Sequence, residues 1–549
     1  MLDIQKRLSN SFYALLALPA TAMGFALTVQ IAALSWILST QYGLQIDEIG
    51  IVWATGPIAG IIGQVVIGII SDKVWFWNGR RRPFLIIGGV LASLMILALP
   101  NIGVIQEGLG LDGVLGIAII VSMTLDLSIN LSFNPARSII ADVTPEGRER
   151  TKGYTWMQTV SGTFGVLAYL IGAVFDNFVL LYFGVGLVFF FSVIPPLFVK
   201  EPKYLGKYGE DEDELDRAAA ERGDPDGIQS FDDISFMEIL HGIRPLWGFL
   251  VYAVYAIVMR LTDFEFPGYY FVISRVLEDG NTEMLTEFVL DYYFEGVLLA
   301  ITVFFIAEAL LKSEAGKSAE EAGLIGFRKV LAAHSFTWIG IQSMFIYLFA
   351  FVDFRLPGMS DDELGTVVNW SFFSLNLVAA ILPVLALEPL ANKFGRVKVH
   401  AVALACTAAG YVGILAFGFS PWAIYLWMAV VGIGWASTIS LPFAIMSQKI
   451  DQGKMGLYMG LFNLSVVLPQ LVASFGVGEA VEAADDKGLV FIICAGTVAF
   501  SSLAWFMVKE PEDEQTENPV LLDQEIEDEV LDDAADGDGE IQEGRRDAL

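Results

Sequence analysis

The 549-residue chain has very few cysteines and lacks the usual sequence motifs of enzymes. Its two cysteines, Cys406 and Cys494, lie inside apolar stretches, so neither a disulfide framework nor a cysteine metal cluster can form. No phosphate-binding Gly-Lys-Ser/Thr loop, zinc-binding helix motif or nucleophile elbow occurs. These absences argue against a pump driven by its own ATPase and against a membrane hydrolase. We therefore expect no enzyme activity, no cofactor and no bound metal.

Basic residues are also scarce, with 32 lysines and arginines against 63 aspartates and glutamates, giving a formal net charge of −31. The acidic residues concentrate in a loop around Glu210–Asp233 and in a tail around Glu510–Asp547. Nucleic-acid binding would require the opposite sign, so no nucleic-acid partner is expected. Two interpretations stay open: a halophilic acidic surface adapted to a salty cell interior, or simple disordered acidic segments.

Apolar residues make up 55% of the chain and occur in long blocks. Crossing a bilayer takes about 20 apolar residues, and only helices or closed barrels satisfy their backbone in lipid. Barrel strands would alternate apolar and polar residues, and these blocks do not alternate. The sequence therefore predicts an all-α polytopic membrane protein. The first six spans are at about 12–39, 48–71, 83–104, 112–142, 153–176 and 178–199, and a second six at about 331–353, 366–388, 397–418, 421–447, 455–476 and 488–508.

The spans define five regions of the chain. These are a six-helix half at 1–200, an acidic loop at 201–244, an inserted region at 245–330, a second six-helix half at 331–508 and an acidic disordered tail at 509–549. The inserted region has apolar stretches near 245–272 and 287–311, which form either two spans or none, and we favour two. Arg260 interrupts the first stretch, which is compatible with a short span followed by an external interfacial helix. The alternation of basic and acidic loops predicts that both termini are cytoplasmic.

Matching cytoplasmic loops follow the second span of each half. In the first half, Asp72 precedes Arg80, Arg81 and Arg82; in the second half, the corresponding residues are Glu388, Lys393 and Arg396. An acid beside guanidinium groups can join two helix ends, so we predict a cytoplasmic gate. The alternative is that the arginines only set the topology. On the opposite side, Asp353 is either an extracellular gate or simply solvated.

The fourth span contains two charged residues, Asp126 and Arg137, eleven positions apart. Eleven residues at about 100° each return to nearly the same helix face, so both point to one side. Charges inside a membrane are costly and mark ion or substrate pathways. Asp126 is thus the candidate cation carrier, and Arg137 a candidate donor to hydroxyl groups. A structural pair is the alternative, as is an Arg137 that lies in the headgroup zone.

Several spans carry amide side chains, which both donate and accept hydrogen bonds and so suit a polyhydroxylated ligand. Amides also join helices, which is the alternative for any single one. The amides that we assign to a central polar cavity are Gln30, Gln64, Asn130, Asn134, Asn376, Asn463 and Gln470. We interpret His334, near a basic loop, as structural.

Several motifs together resemble the glycoside-pentoside-hexuronide:cation symporters of the major facilitator superfamily, and within them the sucrose-transporter-like branch. The resemblance covers most of both halves. It rests on Trp53-Ala-Thr-Gly56-Pro57, Asp72 to Gly79-Arg80-Arg81-Arg82-Pro83, Asp126 to Asn130 to Pro135-Ala-Arg137, Leu375-Asn376, Glu388 to Lys393-Phe-Gly395, Ser440-Leu-Pro442-Phe443 and Phe462-Asn463-Leu464 to Pro469-Gln470.

The resemblance implies a symporter that carries a sucrose- or maltose-like glucoside with H⁺, using Asp126 and Arg137 for coupling and sugar binding. We expect the protein to be a monomer in the plasma membrane. Such transporters rock two halves around a central site. The alternatives are Na⁺ coupling, an exporter of drugs or metabolites, and a non-transporting membrane sensor or scaffold. A scaffold would not need to bear the cost of the intramembrane charges at Asp126 and Arg137.

Overall fold

The structure is a computed structural model that describes residues 3–61, 63, 76, 77, 79–111, 113–145, 148–201, 236–262, 269–276, 282–290, 293–449 and 455–510. Gln64 and Asp72 lie outside these residues, as do the acidic loop at 202–235 and the tail at 511–549. What we predict for them stays a prediction.

The first half consists of helices, as predicted. After the short helix α1 at Asp3–Lys6, the helices are α2 (Asn10–Thr40), α3 (Ile46–Trp53), α4 (Arg82–Ala98), α5 (Ile102–Leu109), α6 (Leu115–Val143), α7 (Arg148–Val174) and α8 (Asn177–Phe198), with a 3₁₀ turn at Leu99–Asn101. Helical backbone resumes after Ala54 at residues 55–61, in line with the predicted second span. Serine and aspartate caps begin the long helices: Ser9 accepts the backbone N–H of Phe12, and Asp176 that of Val179.

The inserted region contains two membrane-length helices, as we favoured, joined by strands. Its elements are α9 (Phe236–Gly242), α10 (Trp247–Thr262, after a 3₁₀ turn at Arg244–Leu246), β1 (Tyr269–Val276), β2 (Thr282–Leu290) and α11 (Tyr293–Leu311). The strands form an antiparallel pair with Tyr269 opposite Leu290 and a register irregularity after Ile273. The suggested interfacial helix after Arg260 is therefore wrong. Aromatic and β-branched residues dominate Tyr269–Val276, and such residues fit a pleated strand.

The second half is again helical. Its elements are α12 (Ala319–Arg355), α13 (Asp361–Leu382), α14 (Glu388–Phe394), α15 (Arg396–Phe417), α16 (Pro421–Thr438), α17 (Leu441–Ser447), α18 (Met455–Val472), α19 (Gly478–Ala483) and α20 (Leu489–Trp505). Two π-helical segments interrupt this pattern, Pro383–Leu387 before α14 and Ala473–Val477 before α19. Among the described residues, twelve helical segments are long and apolar enough to cross a membrane, and α20 is a shorter apolar helix. The predicted all-α polytopic fold is confirmed, with one β-hairpin added.

Small residues allow the helices to approach closely within each half. A Cβ placed on Gly89 would lie 2.0 Å from the Cβ of Ser192, and one on Gly434 would lie 1.9 Å from the Oγ1 of Thr407. Helix association in lipid depends on such close packing because lipid offers no hydrophobic driving force between helices. These contacts fix the helices that carry the polar groups of the central region.

Candidate functional site

The Asp126 carboxylate occupies a pocket between α2, α6 and the helical segment that follows α3. Asp126 is only 5% exposed, and its Oδ2 accepts a hydrogen bond of 2.8 Å from the Oγ1 of Thr55. Gly56 lies next to it, since a Cβ there would be in ordinary contact with both carboxylate oxygens at 3.6 Å. Gln30 of α2 lies beside the carboxylate and is 2% exposed. The expected burial of an acid at this position is thus what the structure shows.

Arg137 does not contact Asp126. Its side chain is exposed, and its guanidinium carbon lies 4.3 Å from the ring centroid of Phe133. No ion pair between Asp126 and Arg137 exists among the described residues. The structure therefore separates the two charges that sequence reasoning grouped as a possible pair, and Asp126 has uncharged hydrogen-bond neighbours.

The predicted amides lie in three kinds of environment. Asn130 donates to the backbone carbonyl of Asp126 at 2.9 Å and Asn376 to that of Phe372 at 2.9 Å, so each uses its donor on its own helix. Gln470 donates to the Oε1 of Gln342 at 3.1 Å, which joins α18 to α12. Asn134 and Asn463 are partly exposed.

An aromatic series continues from the second half into the first. Ring centroids are 6.0 Å apart for Trp338 and Trp435, 5.4 Å for Trp435 and Phe345, 5.7 Å for Phe345 and Phe372, and 5.5 Å for Phe372 and Tyr169. Tyr169 belongs to α7 and the other four rings to α12, α13 and α16. The series therefore crosses the boundary between the halves, and Tyr169, Phe345 and Phe372 are buried within it.

His334 has a structural environment, as interpreted from the sequence. It is 2% exposed, its ring stacks on Phe462 at 4.9 Å, and its Nε2 accepts a hydrogen bond of 2.8 Å from the Nε1 of Trp338. Since Nε2 is the acceptor, the imidazole is neutral in this arrangement. Its contacts hold the Trp338 indole in place.

The two halves meet near one end of the helices, which we call the closed end; it carries the loops at 41–45, 356–360 and 484–488. Across the boundary, Ser35 donates to the carbonyl of Ile346 and Trp36 to that of Asp361, both at 2.8 Å. Asn369 donates to the Oδ1 of Asn177 at 2.7 Å. This hydrogen bond joins α13 of the second half to α8 of the first.

Glycine permits the closest approach at the closed end. A Cβ on Gly50 of α3 would lie 2.2 Å from the carbonyl oxygen of Ser474 and 2.6 Å from the hydroxyl of Tyr347. The backbone N–H of Ile46 also donates to Glu482 at 3.3 Å. Backbone therefore packs directly against backbone across the two halves.

At the opposite end, the basic loop of the first half is held by two acids. Arg81 donates from Nε to Asp142 at 2.9 Å. Glu201 accepts the backbone N–H groups of Arg80, Arg81 and Arg82, each at 2.7 Å, at the start of α4. Burial raises the pKa of the Glu201 carboxyl, while the three backbone N–H groups act in the opposite direction. These contacts lie within one half.

Sequence reasoning missed Glu201. A usable signal was present, because Val199-Lys200-Glu201-Pro202 after the sixth span recurs as Val508-Lys509-Glu510-Pro511 after the last. A tetrapeptide repeated at the same point of two related halves indicates a shared structural need.

Within the described ranges, no ion pair joins the predicted gate residues Glu388, Lys393 and Arg396 to one another. Glu388 and Lys393 are exposed, and the Nζ of Lys393 lies 5.2 Å from the ring centroid of Phe394. Arg396 is partly exposed at the first position of α15. Asp353 is exposed, while its neighbour Arg355 donates to the carbonyl of Leu415 at 3.0 Å. A gating role for these residues stays a prediction.

The helices and the buried Asp126 define a multi-pass membrane protein with two helical halves and a polar centre. A family model for the Major Facilitator Superfamily matches residues 16–474. The chain therefore belongs to the Major Facilitator Superfamily.

Curated relatives are similar over part of their length. The chain is 29% identical over 178 residues to the general alpha-glucoside permease of Schizosaccharomyces pombe, a match that covers 30% of this chain and 31% of the permease. It is 30% identical over 157 residues to the sucrose transport protein SUC4 of Arabidopsis thaliana, covering 26% of this chain and 30% of that protein. The matched segment thus spans about a third of the length of these relatives.

Solved structures share the fold at low identity. The POT family transporter PepTSo aligns with a TM-score of 0.59 at 12% identity, covering 91% of this chain and 97% of that chain. The inward open conformation of the xylose transporter XylE from E. coli aligns with a TM-score of 0.55 at 14% identity, covering 92% and 97% respectively. These likenesses extend the shared architecture over nearly the whole chain.

Proposed function

We propose that this chain is a secondary active transporter that carries a sucrose- or maltose-like glucoside together with H⁺ across the plasma membrane. The named relatives are an alpha-glucoside permease and a sucrose transport protein, which supports a glucoside as substrate. With both termini cytoplasmic and the halves at 1–200 and 331–508, the closed end faces the outside. The protein works as a monomer by alternating access, with the substrate between the halves.

The observation that carries the proposal is the buried, uncharged surroundings of Asp126. A carboxylate that is 5% exposed, with a threonine hydroxyl as its hydrogen-bond donor, is costly to keep ionised in the absence of a nearby cation. Binding a proton removes that cost, so the carboxyl can alternate between charged and neutral forms during transport. Arg137, Asn134 and Asn463 are partly or fully exposed, and we assign them to the sugar hydroxyls.

Uptake into proteoliposomes tests the proposal directly. Labelled sucrose and maltose are offered with an imposed inward proton gradient to the parent protein, to Asp126→Asn and to the control Asp485→Asn. The control makes the same change on an exposed acid of the loop at 484–488. We expect gradient-driven uptake by the parent and the control, and only gradient-independent exchange by Asp126→Asn. Equal gradient dependence in all three proteins would remove Asp126 from coupling.

One observation favours Na⁺ as a second candidate for the coupling ion. The Oε1 of Gln30 is buried and accepts no hydrogen bond from the described residues, and it belongs to the side chain beside Asp126. Carboxylate, amide and hydroxyl oxygens are suitable ligands for a hard cation. A sodium gradient imposed at constant pH distinguishes the two ions. Uptake under neither gradient would favour an exporter or a non-transporting scaffold.

A further inference from the structure

The inserted helix α10 contacts a π-helical segment of the second half. The Nη2 of Arg260 lies 2.7 Å from the Oε1 of Glu479 and 3.5 Å from the carbonyl oxygen of Phe475. Its guanidinium carbon is 4.6 Å from the Phe475 ring centroid. About two turns earlier on the helix lies Tyr252, whose hydroxyl would be 2.6 Å from a Cβ placed on Gly476. Arg260 and Tyr252 thus hold Ala473–Val477 and the start of α19 from one side.

The same π-helical segment makes the closest contact between the halves from its other side. Tyr347 donates toward the carbonyls of Ala473 and Ser474, each at 3.1 Å. The Ser474 carbonyl is also the atom against which Gly50 of the first half packs. Ala473–Val477 therefore lies between the inserted helix and the closed end.

A π-helical segment is well suited to change shape. Such segments are rare, occur mostly as single turns within α-helices, and are frequent at functional sites. Here, three side chains bind carbonyl oxygens of the segment or pack against its backbone: Tyr347 from α12, and Arg260 and Tyr252 from α10. Loss of the contacts from α10 would leave the segment free to relax toward regular helix, which moves the Ser474 carbonyl relative to Gly50.

We propose that Arg260 is a positioning residue of the inserted region, which holds Ala473–Val477 in the shape that closes this end of the transporter. The inserted helices then set how often the closed end opens, and they are not a passive addition to the twelve-helix plan. The inference rests on the proposed alternating access, but the conformational equilibrium that it concerns can be measured without any substrate.

The experiment measures a distance across the closed end. Both native cysteines are removed by Cys406→Ser and Cys494→Ser. Spin labels are then attached to cysteines that replace Gln41 and Asp362, two exposed residues of opposite halves at the closed end. Double electron–electron resonance in lipid nanodiscs then gives the populations of short and long distances. For Arg260→Gln we expect the long-distance population, relative to the short one, to rise about five- to tenfold, since a partly exposed ion pair and a cation–π contact are lost.

A matched control comes from the 3₁₀ turn at Arg244–Leu246, just before α10. Arg244 pairs with Glu308 of α11 at 3.0 Å, so Arg244→Gln removes an ion pair of similar exposure that, among the described residues, makes no contact with Ala473–Val477. Arg244→Gln should leave the distance distribution unchanged. Exchanging the partners, Arg260→Glu with Glu479→Arg, should restore part of the short-distance population.

The melting temperature of each variant separates gating from simple stability. The proposal is overturned if Arg260→Gln keeps the parent distribution, whether or not its melting temperature falls. It is overturned as well if Arg244→Gln and Arg260→Gln shift the distribution equally. A shift found only for Arg260→Gln in a protein that moves no sugar would uphold this inference while refuting the proposed substrate.

Discussion

Gly50→Ala gives the sharpest test of the closed end, because it adds one methyl group between backbones of opposite halves. The added Cβ would lie 2.2 Å from the carbonyl oxygen of Ser474 and 2.6 Å from the hydroxyl of Tyr347. Ordinary contacts at a Cβ lie at 3.4 Å or more. The halves must therefore separate by about 1 Å, because the Ser474 carbonyl is backbone and cannot rotate away.

The expected magnitude follows from the cost of overpacking. Forcing an extra methyl group into a well-packed contact costs about 1–3 kcal/mol. This strain acts only while the closed end is shut, so it favours the opened arrangement by about five- to 150-fold. Double electron–electron resonance between labels at Gln41 and Asp362 should show the corresponding rise in the long-distance population.

The control is another glycine-to-alanine change in the first half. A Cβ on Gly24 of α2 meets no atom within 4 Å, so Gly24→Ala should leave the distances unchanged. If Gly50→Ala gives the same distance distribution as Gly24→Ala, the closed end tolerates the methyl group, and the contact between Gly50 and Ser474 does not limit opening.

Two further changes test single contacts. Asn177 and Asn369 are replaced by alanine singly and together, and the equilibrium between the shut and opened closed end is measured for each variant. We expect a coupling energy of about 1 kcal/mol between the two changes, because one hydrogen bond joins the two side chains. Additive effects of the single changes would contradict this. Glu201→Gln should lower the melting temperature in detergent, since an amide NH₂ cannot accept the backbone N–H groups that the carboxylate accepts. Each hydrogen bond lost should reduce the free energy of unfolding by about 1–3 kcal/mol. The exposed Glu388→Gln is its control, and equal melting temperatures would rule out the capping role of Glu201.

The membrane fold could be predicted because its signal is local: blocks of about 20 apolar residues can hardly be anything but spans. The β-hairpin could not, because hydropathy does not distinguish a strand from a helix. For the stretch near 245–272 the sequence suggested a short span followed by an interfacial helix, whereas the structure ends α10 at Thr262 and begins β1 at Tyr269. A closer look at the β-branched and aromatic residues of β1 would have indicated the strand.

The candidate site was predictable only in part. The cost of charge in lipid identified Asp126 as a buried functional candidate, and burial is observed. The same-face argument predicted on which side of α6 Arg137 lies, but it did not consider how far Arg137 is from Asp126. Eleven residues at about 1.5 Å each separate the two backbones by about 16 Å along the helix axis, which is too far for an ion pair. Glu201 depends on tertiary structure, because its partners at residues 80–82 lie about 120 positions earlier in the chain.

Under the proposed mechanism, the proton site and the closed end share one short part of the chain. Thr55 donates to Asp126, and Gly50, five residues earlier, packs against Ser474 of the other half. Only Ala54 interrupts the helical backbone between them, so the segment from Ile46 to residue 61 moves largely as a unit. Protonation of Asp126 weakens a hydrogen bond to a charged acceptor, which is a stronger bond than one to a neutral acceptor. The change in the bond between Thr55 and Asp126 therefore acts on the same segment, Ile46 to residue 61, whose contact with Ser474 keeps the closed end shut. A single carboxylate can in this way bias the opening of the whole transporter.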